Sequence, residues 1–329
     1  MSKFMLMSLI AVTILFALIP NIAWLLSWIV AKCFHHTMPY APFAWTAVGL
    51  IAFAYIVLAY GYIFGRFKLD INQIEYANKD IPAEFDGYKI VHISDLHLST
   101  FDNDHDQLQR FVDSINAQNP DLICFTGDLV TIGEKEAMPF KEILNNLKAT
   151  DGVASVLGNH DFLLYGHHDS TFSREAEVEK LANFERNELN WHLLRNENYV
   201  ITRNNAKITI LGTDNQNCNN QGFKTISRGD LKKAMQNTDG FRILLTHDPS
   251  HWRDEAIPDT DIQLTLCGHT HAAQIKLFGW TPASWTFKDT DGLYEENGQT
   301  MYINVGLGCT LPVRIGANAE ITAITLKSK

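Results

Sequence analysis

The chain opens on two long stretches with no polar rhythm. Phe4 to Ala31 is uncharged and mostly apolar, and Phe43 to Phe64 is a second such run. A spanning helix takes about 20 residues of this kind, so both are long enough to cross a bilayer. Pro20-Asn21 interrupts the first run and predicts either a kink or a helix shorter than the run. From residue 69 the pattern changes to short apolar runs rich in β-branched residues, alternating with amphipathic stretches. Leu69 to Phe85 reads as a linker with a first strand, closed by the turn signal Asp86-Gly87. Leu108, Phe111, Val112 and Ile115 recur at helical spacing behind Asp104 and Asp106, an acidic start that favours a helix N-terminus. A second helix is expected over residues 139–148 and a third over 174–189. Later strands are expected at 206–212, 241–245, 262–267, 301–305 and 320–326. Helices dominate the first half of this region and strands the second, an order that two packed sheets flanked by helices would accommodate. No internal repeat or low-complexity tract interrupts it.

Five of the apolar runs end alike. Ile90-Val91-His92-Ile93 leads to Asp95-Leu96-His97, and Leu122 to Phe125 leads to Gly127-Asp128. Val153 to Leu157 leads to Gly158-Asn159-His160-Asp161, Ile243 to Leu245 leads to Thr246-His247-Asp248, and Ile262 to Cys267 leads to Gly268-His269-Thr270-His271. Runs of this kind read as core strands emptying into loops, so one rigid scaffold would gather Asp, Asn and His groups from distant positions. Extended backbone puts residues i and i+2 on one face, so Asp95 and His97 could point at one ion, as could His269 and His271. Carboxylate and imidazole together, without thiolate, suit Mn, Fe or Zn and argue against a structural zinc site.

In order and wording the five blocks resemble the calcineurin-like metallophosphoesterases, whose pattern runs D-x-H, G-D, G-N-H-[DE], H, G-H-x-H. The resemblance spans roughly residues 70–329 and is strongest to the membrane-associated bacterial branch. It extends to Gly306-Leu307-Gly308, Pro312-Val313-Arg314 and Glu320-Ile321-Thr322. One departure is Ala272-Ala273, where that branch often carries two glycines; this would narrow the space beside the metals without removing a ligand. The resemblance implies an α/β fold, a four-layer α/β-β/α sandwich of two packed mixed sheets flanked by helices. An N-terminal transmembrane helical hairpin precedes it, giving an anchor over residues 1–68 and a catalytic domain over 69–329. It also implies two divalent metal ions. Asp95, His97 and His271 would hold the first, Asn159, His247 and His269 the second, and Asp128 would bridge them. A metal-bridging hydroxide would then attack phosphorus in line. His160 would act as proton donor or transition-state cation, with Asp161 orienting its imidazole.

Charge fixes the remaining expectations. No Asp or Glu precedes Asp70, and the only basic residues before Arg66 are Lys3 and Lys32. A cleaved signal peptide would explain the first apolar run but is too short a device for its length and leaves the second unexplained. Lys3, Arg66 and Lys68 flank the outer ends of the hairpin against Lys32 alone between its helices, which puts both termini and the catalytic domain on the cytoplasmic side of a bacterial inner membrane. Residues after 65 hold all 37 acidic and 25 of the 27 basic residues, a net of −12. Without a basic stripe interleaved with aromatics, nucleic acid is not expected as the main partner. Five cysteines with no C-x-x-C offer no disulfide framework. The expected substrate is a phosphate ester, narrowed to a phosphodiester or pyrophosphate and further to a lipid-linked one, met at the bilayer and with no obligate protein partner. The alternatives are a protein or nucleotide phosphatase, and a non-catalytic membrane scaffold or sensor.

Several ligand-type residues have plainer readings. His92 belongs to no block and reads as a satisfied strand residue, and His35-His36 as a solvated turn. Asp102, Asp104, His105 and Asp106 suit helix capping. Gly166-His167-His168-Asp169 reads as a loop with a chance of reaching substrate, and Asp214, Asp248 and His251 as candidates to support the ligands. The segment from Ile275 to Trp285 carries two Trp, a Phe and a Leu; it reads either as packing under a long loop or as an apolar groove facing lipid.

Overall fold

The structure, a computed structural model, describes residues 3–102, 104–166, 173–217, 221 and 224–329. It divides into two compact units, one up to Arg66 and one from Phe67 on.

In the first unit, α1 (Lys3–Cys33) packs on α2 (Ala41–Ile63). The helix does not stop at Pro20: it runs on to Cys33, and Asn21 Nδ2 donates to the Ala17 carbonyl at 2.8 Å. Tyr40 Oη donates to Asn21 Oδ1 at 2.8 Å and Thr13 Oγ1 lies 2.5 Å from Tyr55 Oη, so early α1 meets late α2 as in an antiparallel hairpin. Both helices are long and apolar enough to cross a membrane, and most of their large apolar side chains are exposed.

The second unit runs β1 (Leu69–Asn78), β2 (Lys89–Ile93), α3 (His105–Asn116), β3 (Leu122–Phe125), α4 (Lys141–Leu144), β4 (Val153–Ser155), α5 (Arg174–Asn183) and β5 (His192–Leu193). It continues with β6 (Glu197–Arg203), β7 (Ala206–Gly212), α6 (Leu231–Ala234), β8 (Phe241–Leu245), α7 (Ile257–Asp259), β9 (Leu264–Cys267), β10 (Gly292–Glu296), β11 (Gln299–Ile303) and β12 (Ala319–Ser328). One sheet has the order β1-β12-β2-β3-β4-β5 and the other β10-β11-β9-β8-β7-β6. Each is mixed: β12 against β2, β10 against β11 and β6 against β7 are antiparallel, and the rest pair in parallel.

Alternate residues of each inner strand enter different cores. Ile90, Leu122 and Cys124 meet Ile208, Ile243, Leu245 and Leu266 between the sheets. Val91, Ile93, Ile123 and Phe125 face outward onto Phe111, Val112 and Ile115 of α3, while Leu244 and Cys267 pack with Trp252 on the far side. Strands covered on both faces are apolar at most positions, with His92, Ser155, Arg242 and Thr265 as buried polar exceptions, which is why they stood out as nearly continuous runs. β2, β3 and β4 lie parallel in one sheet and β8 and β9 in the other, so all five metal-type blocks leave the C-terminal ends of their strands.

Two helices differ from expectation. The one expected over 139–148 is a 3₁₀ turn (Met138–Phe140) followed by the single turn α4. It ends at Asn145 and Asn146: Asn145 Nδ2 donates to the Glu188 carbonyl, and the Asn146 backbone carbonyl accepts from Asn116 Nδ2. Such short amides satisfy backbone outside the helix as readily as within it. The third helix stops at Asn183 and widens into a turn over Phe184–Glu188, which buries Glu185 with its carboxyl on Ser155 Oγ at 2.6 Å.

Candidate metal centre

At the strand ends the backbone bends sharply. Asp95, His97, Asp128, His269 and His271 all have positive φ, between 38° and 76°. The two residues of each D-x-H and H-x-H pair are therefore not extended, and the i, i+2 argument does not apply to them. Left-handed backbone disfavours side chains with a Cβ, and its concentration at one place marks a site where surrounding structure holds the strain. Gly158 and Gly268 allow the loops to close: a Cβ on Gly158 would lie 2.2 Å from Asp128 Oδ1, and one on Gly268 would lie 1.8 Å from Ser94 Oγ.

The bends gather seven side chains. Ligand-type atoms of Asp95, His97 and His271 lie within 4.8 Å of one another, as do those of Asp128, His247 and His269, and those of His97, Asp128 and His160. His269 and His271 thus turn into different clusters and do not face one ion. Asp128 belongs to two clusters, with Oδ2 3.2 Å from His247 Nε2 and 3.6 Å from His97 Nε2. His271 Nε2 lies 3.2 Å from Asp95 Oδ1 and 3.1 Å from His97 Nε2, and His269 Nδ1 lies 3.1 Å from His247 Nε2. Asn159 is an eighth polar side chain at the site: its Nδ2 is held by Tyr165 Oη at 2.8 Å, while the buried Oδ1 has no hydrogen-bond partner among the described residues.

A second ring of contacts aims these groups. His247 Nδ1 donates to the Thr126 carbonyl at 2.7 Å, which leaves Nε2 as the free nitrogen facing Asp128. His269 is turned the other way round, with Nε2 2.8 Å from Gln221 Oε1 and 3.6 Å from Asp248 Oδ2. Asp248 is itself fixed by Gln221 Nε2, Asn217 Nδ2 and the Ser250 amide. Such outer partners fix the tautomer and ring plane of a metal-binding imidazole. The His269 amide donates to Asp95 Oδ2 at 3.0 Å and ties the second sheet to the first. Buried Arg314 donates to the carbonyls of Val305, Gly306 and Gly308, and the amides of Leu307 and Gly308 return to the carbonyls of Ser94 and Asp95.

Asp161 does not orient His160. Its carboxylate accepts from the amides of Asp128 (2.7 Å), Gly158 (2.9 Å) and Val130 (3.2 Å), so it ties two of the loops together. The His160 ring is set instead by the Thr131 carbonyl, 2.8 Å from Nδ1, and its amide donates to Asp128 Oδ1 at 2.8 Å.

Buried carboxylates demand positive charge nearby. Burial alone would raise the pKa of Asp95 and Asp128, but the surrounding imidazoles, His271 foremost for Asp95 and His247 for Asp128, hold both below the usual range. Burial works against a charged His247 too, yet Asp128 and Asp95 raise it to about 10. Burial lowers His269 to about 4 despite Asp248, and burial together with the charge of Asp128 pushes Asp161 up to about 7. Two acids, four or five imidazoles and an unspent amide oxygen around one carboxylate form a donor set that fits hard or borderline divalent cations.

The plainer readings fall out as follows. His92 is satisfied on one side alone, Nε2 pairing with Thr126 Oγ1 at 2.9 Å while buried Nδ1 has no hydrogen-bond partner among the described residues; Asp104 caps α3 through the Gln107 amide, Asp214 pairs with Arg195, and His251 with Glu255 and Thr246. Of Gly166-His167-His168-Asp169, the last three lie outside the described residues. Asp248, Gln221, Thr131 and Tyr165 support the cluster, and only Asp248 was marked by the sequence. A cavity of about 360 Å³ opens beside the cluster, lined by Asn159, His160, Tyr165, Ala273, Phe287 and Leu311 among others.

Ala272 and Ala273 also have positive φ, 49° and 48°. A left-handed residue with a Cβ costs about 1–2 kcal/mol, against about 0.5–1 kcal/mol for the extra chain entropy of glycine. Ala272→Gly and Ala273→Gly are each expected to leave stability unchanged or raise it by up to about 1 kcal/mol. Thermal unfolding of the full chain checks this, and a loss of that size would mean that the bend carries no strain.

Similarity to known proteins agrees with the site. The family model for calcineurin-like phosphoesterases matches residues 88–273. The chain is 32% identical over 296 residues to the uncharacterized metallophosphoesterase YkuE of Bacillus subtilis, an alignment covering 85% of this chain and 94% of that one. It is 29% identical over 293 residues to a transmembrane protein with metallophosphoesterase domain from Danio rerio, covering 87% of this chain and 63% of that longer one. Among solved structures it is similar to a dimetal phosphatase from Danio rerio, with 12% identity, a TM-score of 0.40, and coverage of 69% of this chain and 90% of that one. The site and fold are those of a metal-dependent hydrolase of phosphoric esters. The chain belongs to the calcineurin-like phosphoesterase family.

Proposed function

We propose that the chain is a membrane-anchored, two-metal phosphodiesterase, with residues 1–68 as anchor and 69–329 as catalytic domain, facing the cytoplasm. The observation that carries the metal assignment is the crowd of imidazole nitrogens around Asp128 Oδ2, together with Asn159, which lines the same cavity and whose Oδ1 has no hydrogen-bond partner among the described residues. In this reading Asp95, His97 and His271 hold one cation, Asn159, His247 and His269 the other, and Asp128 both. When bound, such a pair supplies Lewis acidity toward phosphoryl oxygens and a nucleophile at neutral pH. The chain's own part is positional. Thr126 and Gln221 set the tautomers of His247 and His269, Asp161 fixes the loops of Asp128 and Asn159, and His160 presents its second nitrogen to the cavity, where a leaving group takes up a proton.

The lining supports a diester over a monoester. Among the described residues no Lys or Arg faces the cavity, whose wall beyond the donors is formed by Tyr165, Ala273, Phe287 and Leu311 together with the uncharged polar Thr270, Gln274 and Thr310. A dianionic monoester gains less there than a diester or substituted pyrophosphate with one charge per phosphorus. The apolar wall and the anchor favour a lipid-linked ester.

Metal add-back tests this reading. The full chain in detergent, stripped by chelation, is given Mn, Fe(II) or Zn with a soluble aryl phosphodiester and the matching monoester. Turnover is expected to vanish on stripping and return with metal, with kcat/KM higher for the diester. A faster monoester reaction overturns the substrate class, and a folded, metal-loaded chain inert toward both overturns the enzyme reading.

A further inference from the structure

The segment after the G-H-x-H block does not pack under a loop. Leu277 and Trp280 exchange backbone hydrogen bonds in both directions around Phe278 (φ 52°) and Gly279 (φ 84°), a two-residue hairpin turn. Turns with two positive φ angles favour Asn and Gly, and a bulky aromatic at the first position breaks that rule. Phe278 gains no packing in return: it is 110% exposed relative to a reference chain, with Trp285 at 80%, Leu277 at 48% and Trp280 at 46%. Trp280 and Trp285 meet edge to face with centroids 5.4 Å apart. A local rule broken with nothing inside the fold to reward it points to a surface outside it.

Three further observations select that surface. Both ends of the segment are wall of the cavity: Gln274 and Phe287 line it, and Phe287 stands edge-on to His269 at 5.5 Å. No Asp or Glu occurs between Asp261 and Asp289, in a region whose net charge is −12, while Lys288 and Lys276, the latter paired with Asp291, flank the aromatic tip. An acid-free stretch is spared the repulsion that the rest of the region would meet at anionic headgroups. Finally, Trp and Phe beside Lys is the composition that settles at the boundary between headgroups and acyl chains, where an indole keeps its N–H wet.

We propose that residues 275–286 form a bilayer-contacting hairpin, dipping Phe278, Trp280 and Trp285 into the headgroup–acyl boundary so that the cavity mouth meets the headgroup of a lipid-linked phosphoester. This rests on the membrane-anchored phosphoesterase reading above and names the surface on which the enzyme works. A lipid then need not leave the bilayer: its tails stay in the membrane while the phosphate reaches the donors between Gln274 and Phe287.

The test uses the full chain in vesicles of phosphatidylethanolamine and phosphatidylglycerol, with or without brominated acyl chains. Wild type is compared with the Trp280→Tyr, Trp285→Tyr double variant, so that the difference in emission reports these two indoles alone. That difference is expected to be blue-shifted and quenched by the brominated lipid. Unquenched, water-like emission from a chain that floats with the vesicles overturns the hairpin but leaves the anchor standing. A chain that fails to float overturns the anchor and the hairpin with it. Kinetics give a second readout. Phe278→Ser with Trp280→Ser is expected to raise KM for an aryl phosphodiester of diacylglycerol about tenfold or more, while kcat/KM on the soluble aryl diester stays within about twofold. Equal losses on both substrates overturn the proposal, and an inert wild type on the soluble ester faults the enzyme reading instead.

Discussion

Asp128→Asn is expected to lower turnover by about 10³-fold or more, roughly 4 kcal/mol in the barrier, and to reduce bound metal below two per chain. Asp128 is the residue common to both halves of the cluster, its Oδ2 facing His247 and His97 while Oδ1 accepts from the His160 amide. An amide in its place has one ligating oxygen. If that oxygen keeps the His160 amide, the NH2 group points at the imidazoles and no anion lies between two cations; if it turns to the imidazoles, two N–H donors face each other. Either arrangement removes a buried negative charge that offsets positive charge on both sides. The loss should therefore exceed the roughly 10–100-fold that follows from removing a partner outside the ligand set. Metal analysis beside kcat checks it: two metals and near-normal turnover in this variant would remove Asp128 from the bridging position.

The sequence displayed the strands that carry the candidate ligands because each is buried on both faces, so Leu122 to Phe125 or Ile243 to Leu245 could not be mistaken for solvated chain. It displayed their blocks because Asp, Asn and His next to Gly at the end of such a run have little other use. What it could not display is direction. Nothing in D-x-H says that Asp95 and His97 both turn left-handed, or that His269 and His271 part company across Thr270, because those bends pack against neighbours distant in the chain, as Gly306 does against both Asp95 and His271. The supporting contacts were hidden for a related reason. Thr131 acts through its carbonyl, which every residue has, and Gln221 sits in a polar stretch with no pattern. β5, β6 and β10 escaped because they are edge or near-edge strands whose outward side chains are polar, as in Glu295 and Glu296, and edge strands need no apolar run. The aromatic segment was visible as composition, but burial and exposure of an irregular loop depend on tertiary closure alone.

His160→Ala is expected to lower kcat by about 10²–10⁴ with both metals retained. The variant separates two functions of one residue. The backbone amide of His160, which positions Asp128 through Oδ1, survives the substitution, so the shared carboxylate keeps its place. Only the imidazole is lost. That ring is half-buried and lines the cavity, whereas His97, His247, His269 and His271 are buried around the carboxylates. With Nδ1 held by the Thr131 carbonyl, the opposite nitrogen is the one offered to a substrate, the posture of a general acid or of a donor to a phosphoryl oxygen. The same posture would also suit a ligand: His247 is held alike by the Thr126 carbonyl, and the His160 ring lies in one cluster with His97 and Asp128. The two roles part in the metal count and in the substrate dependence. A proton donor matters most when the leaving group is a poor one, so the variant should lose far more on an alkyl ester than on an activated aryl ester, at two metals per chain. A fall to one metal, with equal losses on both esters, would make His160 a ligand and leave the protonation step to another group.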